Sequence, residues 1–278
     1  MAAAPLADPV YEPAAIMGGL YGDGAIALSG AFSCDWADRM REDIETLFAE
    51  ARAIPGGALP RGPERFYVEV APERVRGFVD IATHPWFVAV CEAVLGPDYR
   101  IVEIGFDIPF PGAADQPWHR DFAAPEATLK GRRLNSLAFN LTAVDTVPEM
   151  GPFEIAPGTQ WDDIAPFGDP MFPPRELYPR YVVRAQQKLP RRGDISARSA
   201  LTIHRGTANC SDRPRPVLVV GVDAPDATNA QHHDLQVTPG YLEALPAQVR
   251  DHLTCRVVDR LTPIVQAHVI ERLVVEVG

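Results

Sequence analysis

The chain has 278 residues, 46% of them hydrophobic and 23% charged, a composition that suits a globular protein able to bury a core without disulfides. Its 26 Lys and Arg against 37 Asp and Glu give a net charge of −11, which argues against nucleic acid or an anionic membrane as partner, since a basic face does the attracting there. No apolar run approaches the roughly 18 residues that span a bilayer. The start MAAAPLADPVYEP lacks the order of a secretory leader. Four scattered cysteines with no CxxC pair fit reduced thiols in a cytoplasmic protein better than a disulfide framework or zinc ribbon.

Residues 1–17 are rich in Ala and Pro and read as a flexible arm. Residues 22–29 read as a short strand. Residues 34–51 form the clearest helix: Trp36, Met40, Ile44, Leu47 and Phe48 step by three and four, and charged residues take the other side. A second helix is expected over 84–95, stopped at Gly96-Pro97. Strands dominate from there, over 99–110, 134–142, 153–156, 194–204 and 216–223, where apolar residues alternate or run between turn residues. The Pro-rich stretch 165–180 has little periodicity and reads as a lid loop. Residues 239–253 read as a helix, and 264–277 fit both the helical and the strand period. No repeat or linker divides residues 1–278. One domain is therefore expected, mainly β with flanking α-helices.

One histidine has a special context, Gln116-Pro117-Trp118-His119-Arg120-Asp121-Phe122. On an extended backbone His119 and Asp121 point to the same side and can offer an imidazole nitrogen and a carboxylate oxygen to one ion. A third ligand has to come from elsewhere, and His204, after the β-like run SALTI, is the best candidate. Two His and one carboxylate on one side of an ion suit non-haem Fe(II) and leave positions open for a co-substrate and dioxygen. Eleven residues after His204 stands Arg215, at the start of an apolar strand. Its guanidinium fork could grip a carboxylate. Trp118, Phe122, Phe106, Phe139 and Trp161, with the cations Arg120 and Arg205, are expected around such a site. An apolar pocket with one or two cations would suit a small carboxylic acid or an acylated metabolite. The run His232-His233-Asp234 follows a turn-rich segment and reads as a solvated loop.

These segments together resemble the phytanoyl-CoA dioxygenase (PhyH) family of Fe(II)/2-oxoglutarate oxygenases. The segment 20–44 is similar to the family's opening strand and helix. PWHRDF resembles its HxD motif. AFNLTAVDTVPEMGPFEIAPGTQW resembles its central strand and turn. HRGTANCSDRPR resembles its HGxGxNxSxxxR segment without a gap. The resemblance implies a double-stranded β-helix (a jelly roll, cupin-like) with flanking helices. It implies Fe(II) on His119, Asp121 and His204, and the far carboxylate of 2-oxoglutarate on Arg215, with Thr207 and Gln116 as further co-substrate contacts. The implied reaction uses O2, releases succinate and CO2, and hydroxylates or otherwise oxidises a C–H of a small molecule. Asp121 stands where related halogenases have Gly or Ala, which favours oxidation over halogenation. Arg205 departs from the usual Gly, and Thr207 sits one place beyond the common hydroxyl position. Two other readings stay open: a non-catalytic jelly-roll binding protein, and a cupin-type enzyme using another metal.

Overall fold

The structure, a computed structural model, describes residues 11–123, 126–162, 171–227, 229, 232–266 and 270–273. In chain order its first half comprises α1 (Pro13–Gly22), β1 (Ala25–Leu28), α2 (Cys34–Arg52), β2 (Leu59–Pro60), β3 (Arg65–Glu69), α3 (Phe78–Ala82), α4 (Pro85–Leu95), β4 (Arg100–Pro109), α5 (Glu126–Gly131) and β5 (Ser136–Thr142). There follow β6 (Phe153–Ile155), α6 (Tyr178–Arg184), β7 (Gln186–Lys188), β8 (Ile195–Ser199), β9 (His204–Gly206), β10 (Val217–Asp223), β11 (Gln236–Val237), α7 (Pro239–Ala244), α8 (Ala247–Arg250) and β12 (Arg256–Val257).

Seven strands form one sheet in the order β1-β8-β5-β10-β4-β3-β2, and a smaller sheet runs β7-β6-β9. All pairings within these two sheets are antiparallel. The mainly β core with flanking helices is the expected jelly-roll layering, and the sheets stay open rather than closing on themselves. A reciprocal pair of backbone hydrogen bonds between His119 and His204 extends the small sheet beyond β9.

Both sides of the large sheet are buried, but for different reasons. On one side Ile104, Phe106, Leu137, Phe139, Leu218 and Val220 join the helical residues Leu20, Met40, Ile44, Phe87 and Val90 in the main apolar cluster. At roughly 1.5–3 kcal/mol per buried large side chain, this layer dominates stability. Residues one step along each strand point the other way. Arg65, Tyr67, Asp107, Asn140, Arg198 and Val219 line a cavity of about 470 Å³ between the two sheets.

This alternation corrects the expected pocket lining. Phe106 and Phe139 lie on the helix side, where Phe139 packs 4.3 Å from Phe87. Trp161 donates its indole N–H to the Tyr21 carbonyl, 2.9 Å away.

Other elements differ from expectation for identifiable reasons. The arm ends earlier than residue 17, since the chain is helical from Pro13 and Ile16 and Leu20 are buried. The Gln160 amide donates to the carbonyls of Leu20, Tyr21 and Gly22, which satisfies the end of that helix. Residues 1–10 lie outside the described residues. The single helix expected over 239–253 is two short ones, broken at Pro246, whose ring removes a helical donor. Of the expected lid, 165–170 lies outside the described residues, while 171–180 contains a 3₁₀ turn at Arg175–Leu177 and the start of α6. Of the tail, 264–266 and 270–273 are described, with a 3₁₀ turn at Glu271–Leu273. His233 is not solvated: its side chain is 6% exposed and its Nε2 lies 3.5 Å from Glu103. Among the described residues no helix is long and apolar enough to cross a membrane.

Candidate metal centre

The two histidines face each other because their strands pair. His119 N–H donates to the His204 carbonyl and His204 N–H to the His119 carbonyl, each at 3.0 Å. This brings the imidazole centroids to 4.4 Å. Two residues on, Asp121 N–H donates to the Ala200 carbonyl at 3.0 Å, which fixes the carboxylate on the same side. One ligand atom from each of His119, Asp121 and His204 lies within 4.8 Å of the other two.

Protonation follows from the second nitrogen of each ring. His119 Nδ1 lies 2.8 Å from the Pro117 carbonyl, and His204 Nδ1 lies 2.9 Å from the Thr202 carbonyl. A carbonyl only accepts, so each Nδ1 carries the hydrogen and each Nε2 keeps its lone pair. Burial is the main force holding both imidazoles below the usual histidine pKa, with His204 adding to it at His119 and Arg198 at His204. Burial alone would raise the Asp121 carboxyl, but the Arg198 guanidinium beside it holds it well below the carboxylate range.

The result is a lone pair and a carboxylate meeting as two acceptors: His204 Nε2 is 3.3 Å from Asp121 Oδ1. A bound cation relieves that opposition. The residues present therefore fit a divalent metal, with a 2-His-1-carboxylate donor set of the kind used for non-haem iron.

A second cluster occupies the same cavity. Arg215 is 5% exposed, and its Nε donates to the Gly151 carbonyl at 2.9 Å. Burial lowers its pKa to about 10, which leaves it charged at neutral pH. Its position is set by the turn before it. The Asn209 amide donates to the Pro109 and Arg213 carbonyls, while Asn209 Oδ1 accepts from Ser211. The Asn and Ser of that motif thus build the turn that delivers the arginine inward, and Arg213 stays 70% exposed outside.

Sequence reasoning missed Arg65. It is 1% exposed, donates to Asp107 Oδ2 at 3.0 Å and to the Thr207 carbonyl at 3.1 Å, and lines the cavity with Arg215. It also missed Arg198, whose guanidinium forms a two-pronged pair with Asp121. A detectable signal existed for the first: Arg65, Tyr67 and Glu69 put polar groups on one side of a strand whose other side is apolar.

The remaining expected site residues divide clearly. Gln116 lines the cavity, and its Oε1 accepts from Gly206 N–H at 2.9 Å. Phe122 lines it too. The Thr207 hydroxyl instead donates to the Pro152 carbonyl at 2.8 Å. Trp118 is fully buried in a separate cluster with Ala156, Tyr181 and Ile203. Arg120 donates to the carbonyls of Thr159 and Asp162. Arg205 pairs with Glu154 at 2.7 Å and covers the Trp118 ring. Trp118 and Arg120 alternate with His119 and Asp121, so the same period that unites the ligands turns these two away.

The model of the family described as Phytanoyl-CoA dioxygenase (PhyH) matches residues 20–217. The chain belongs to the phytanoyl-CoA dioxygenase (PhyH) family. That family's cofactor set is iron with 2-oxoglutarate, and His119, Asp121 and His204 form a group that could hold the metal. Among solved structures, the non-heme alpha ketoglutarate dependent carbocyclase SnoK from nogalamycin biosynthesis is 18% identical, with a TM-score of 0.62 over 81% of this chain and 86% of that one. EctD from S. alaskensis, solved with 2-oxoglutarate and 5-hydroxyectoine, is 16% identical, with a TM-score of 0.61 over 80% of this chain and 81% of that one. The epimerase SnoN, solved with Fe3+, alpha ketoglutarate and nogalamycin RO, is 21% identical, with a TM-score of 0.58 over 76% of this chain and 84% of that one. These likenesses establish a shared fold. No curated protein sequence matches the chain.

Proposed function

We propose that this PhyH-family protein is an Fe(II)/2-oxoglutarate-dependent oxygenase that hydroxylates a C–H of a small carboxylic acid or acylated metabolite, with release of succinate and CO2. The observation that carries the reading is the triad itself: two imidazoles with both Nδ1 atoms committed to carbonyls, opposed to a carboxylate, inside a cavity that also holds Arg215.

When bound, iron with 2-oxoglutarate and O2 supplies the oxidising chemistry. His119 and His204 would hold the metal through Nε2, and Asp121 through a carboxylate oxygen. Arg215 would clasp the far carboxylate of the diacid, with Arg65 beside it and Gln116 on the cavity wall. Asp107, within 4 Å of both arginines, lowers the cost of burying two like charges. Phe122 would give the substrate an apolar wall. The cavity between the sheets limits water around the reacting C–H and fixes its approach.

The test is co-substrate turnover. Purified protein with Fe(II), 2-oxoglutarate and O2 is expected to form succinate, slowly without substrate and faster with it. Asp121→Ala is expected to abolish succinate formation. Absence of succinate from metal-loaded wild-type protein under all substrates tried, together with unimpaired ligand binding by Asp121→Ala, would indicate a non-catalytic binding protein.

A further inference from the structure

We infer that the cavity wall formed by β3 and β4 is a subsite for an α-amino-carboxylate group, so that the substrate of the proposed oxygenase is an amino acid or a compound ending in one. The inference rests on that functional reading for the reaction but not for the binding.

Most charged groups lining the cavity have an assigned partner. Asp121 is paired with Arg198, and Asp107 with Arg65 and Arg215. Asp194 accepts from the backbone N–H of Gly30 and of Arg191, each at 2.8 Å. Lys188 donates to Gln186 at 3.0 Å. Arg61 and Glu103 are opposite in charge and both on the cavity wall, yet not paired with each other; the Glu103 contacts are to Tyr67 and His233, on one oxygen.

Tyr67 holds them apart. The Arg61 guanidinium lies over the Tyr67 ring, 4.8 Å from its centre, and Arg61 Nε is buried without a hydrogen-bond partner among the described residues. The Tyr67 hydroxyl donates to Glu103 Oε1 at 2.5 Å, and His233 Nε2 approaches the same oxygen at 3.5 Å. Both contacts fall on Oε1, while Oε2 is the oxygen on the Gly221 side. Two glycines make this possible. A Cβ on Gly105 would meet the Tyr67 hydroxyl at 2.7 Å, and a Cβ on Gly221 would meet Glu103 Oε2 at 2.6 Å. The phenol therefore lies across β4, and the carboxylate reaches over β10 toward the metal side of the sheet.

Small residues follow Glu103 across the sheet. Glu103 pairs in register with Gly221, Gly221 with Ala138, and Ala138 with Arg198. Three strand spacings, about 14 Å between the outer α-carbons, separate Glu103 from the arginine that holds Asp121. Ile270 and Leu273 also line this cavity.

A carboxylate oxygen and a guanidinium without an ion pair among the described residues, both in contact with one tyrosine, complement an ammonium and a carboxylate on a single carbon. A plain carboxylic acid would bring no donor to Glu103 Oε2, and a plain amine would bring no acceptor to the Arg61 guanidinium. The substrate's remaining atoms would then run over Gly221 and Ala138 toward the triad.

The experiment is calorimetric titration of the Mn(II)- and 2-oxoglutarate-loaded protein, without O2, with each of the proteinogenic α-amino acids. Any that binds is followed by its des-amino acid and its decarboxylated amine. At least one amino acid is expected to bind with Kd on the order of 1 mM or tighter. Loss of either charged group is expected to weaken binding about tenfold or more. Glu103→Gln should reproduce the loss caused by removing the amine, and Arg61→Gln the loss caused by removing the carboxylate. Circular dichroism checks that each variant is folded. Binding by none of the amino acids, or equal binding of an amino acid and both analogues, would overturn the inference. Failure of Mn(II) and 2-oxoglutarate to bind would count against the oxygenase reading instead, and the same titrations on unloaded protein would still decide the subsite.

Discussion

Asp121 and Arg198 form a two-pronged ion pair at the edge of the candidate metal centre. Both guanidinium nitrogens Nη1 and Nη2 reach the carboxylate, the second at 3.0 Å, and Arg198 is 8% exposed. The pair holds the carboxylate in one rotamer, with Oδ1 toward His204. Partners that orient a ligand in this way typically contribute 10–100-fold to metal affinity. Arg198→Met is therefore expected to weaken Mn(II) binding by about 10- to 100-fold, and Arg198→Lys by less. Metal titration followed by electron paramagnetic resonance checks this. Wild-type affinity in Arg198→Met would mean that the pair does not orient the ligand.

Gly206 governs the second arginine. A Cβ there would meet the Arg65 guanidinium at 2.3 Å. Gly206→Ala is expected to push Arg65 off Asp107 and the Thr207 carbonyl, and to raise the Kd of 2-oxoglutarate by about tenfold, the scale of one charge-assisted hydrogen bond. Calorimetry on the metal-loaded variant reads the change directly.

His84 ties stability to pH. Its Nδ1 accepts the Trp86 N–H at the start of α4, 3.2 Å away, and burial lowers its pKa. A base with a depressed folded pKa contributes stability that is fully present above its unfolded value, about 6.5. That stability is lost as pH falls from there through the folded pKa, because the unfolded chain takes the proton first. Protonation of Nδ1 also removes the acceptor. His84→Asn keeps an acceptor that does not titrate. The fall in melting temperature between pH 7.5 and 5.5 is expected to be smaller in His84→Asn than in the wild type.

The cysteines should separate by position. Cys34 and Cys210 are exposed, Cys255 is half-buried, and Cys91 is buried, which pushes its thiol well up. Alkylation of the native protein is expected to label Cys34 and Cys210 first, and Cys91 only on unfolding. Mass spectrometry after timed quenching distinguishes them.

The grouping of the candidate metal ligands was legible in the sequence where the information is local. His119 and Asp121 share a side by the period of a strand, and the turn that brings Arg215 inward is written in Asn209 and Ser211, a few residues away. Arg65 and Arg198 were not legible, because their role depends on which strands become neighbours: Arg198 reaches Asp121 from β8, 77 residues along. Phe106 and Phe139 show a different limit. Alternation separates the two sides of a strand, but when helices cover one side and a cavity lies on the other, both are buried and apolar residues do not tell which is which. The helix α1 escaped notice for a related reason. Its Ala- and Gly-rich sequence has a weak pattern of its own, and the packing of Ile16 and Leu20 together with Gln160 sets its place.

The most direct measurement is the anaerobic visible spectrum of the protein with Fe(II) and 2-oxoglutarate. A weak charge-transfer band that saturates at one iron per chain is expected in the wild type, absent in His204→Ala, and requiring much more 2-oxoglutarate in Arg215→Met. No band in the wild type, or an unchanged band in His204→Ala, would contradict an iron site built on His119, Asp121 and His204.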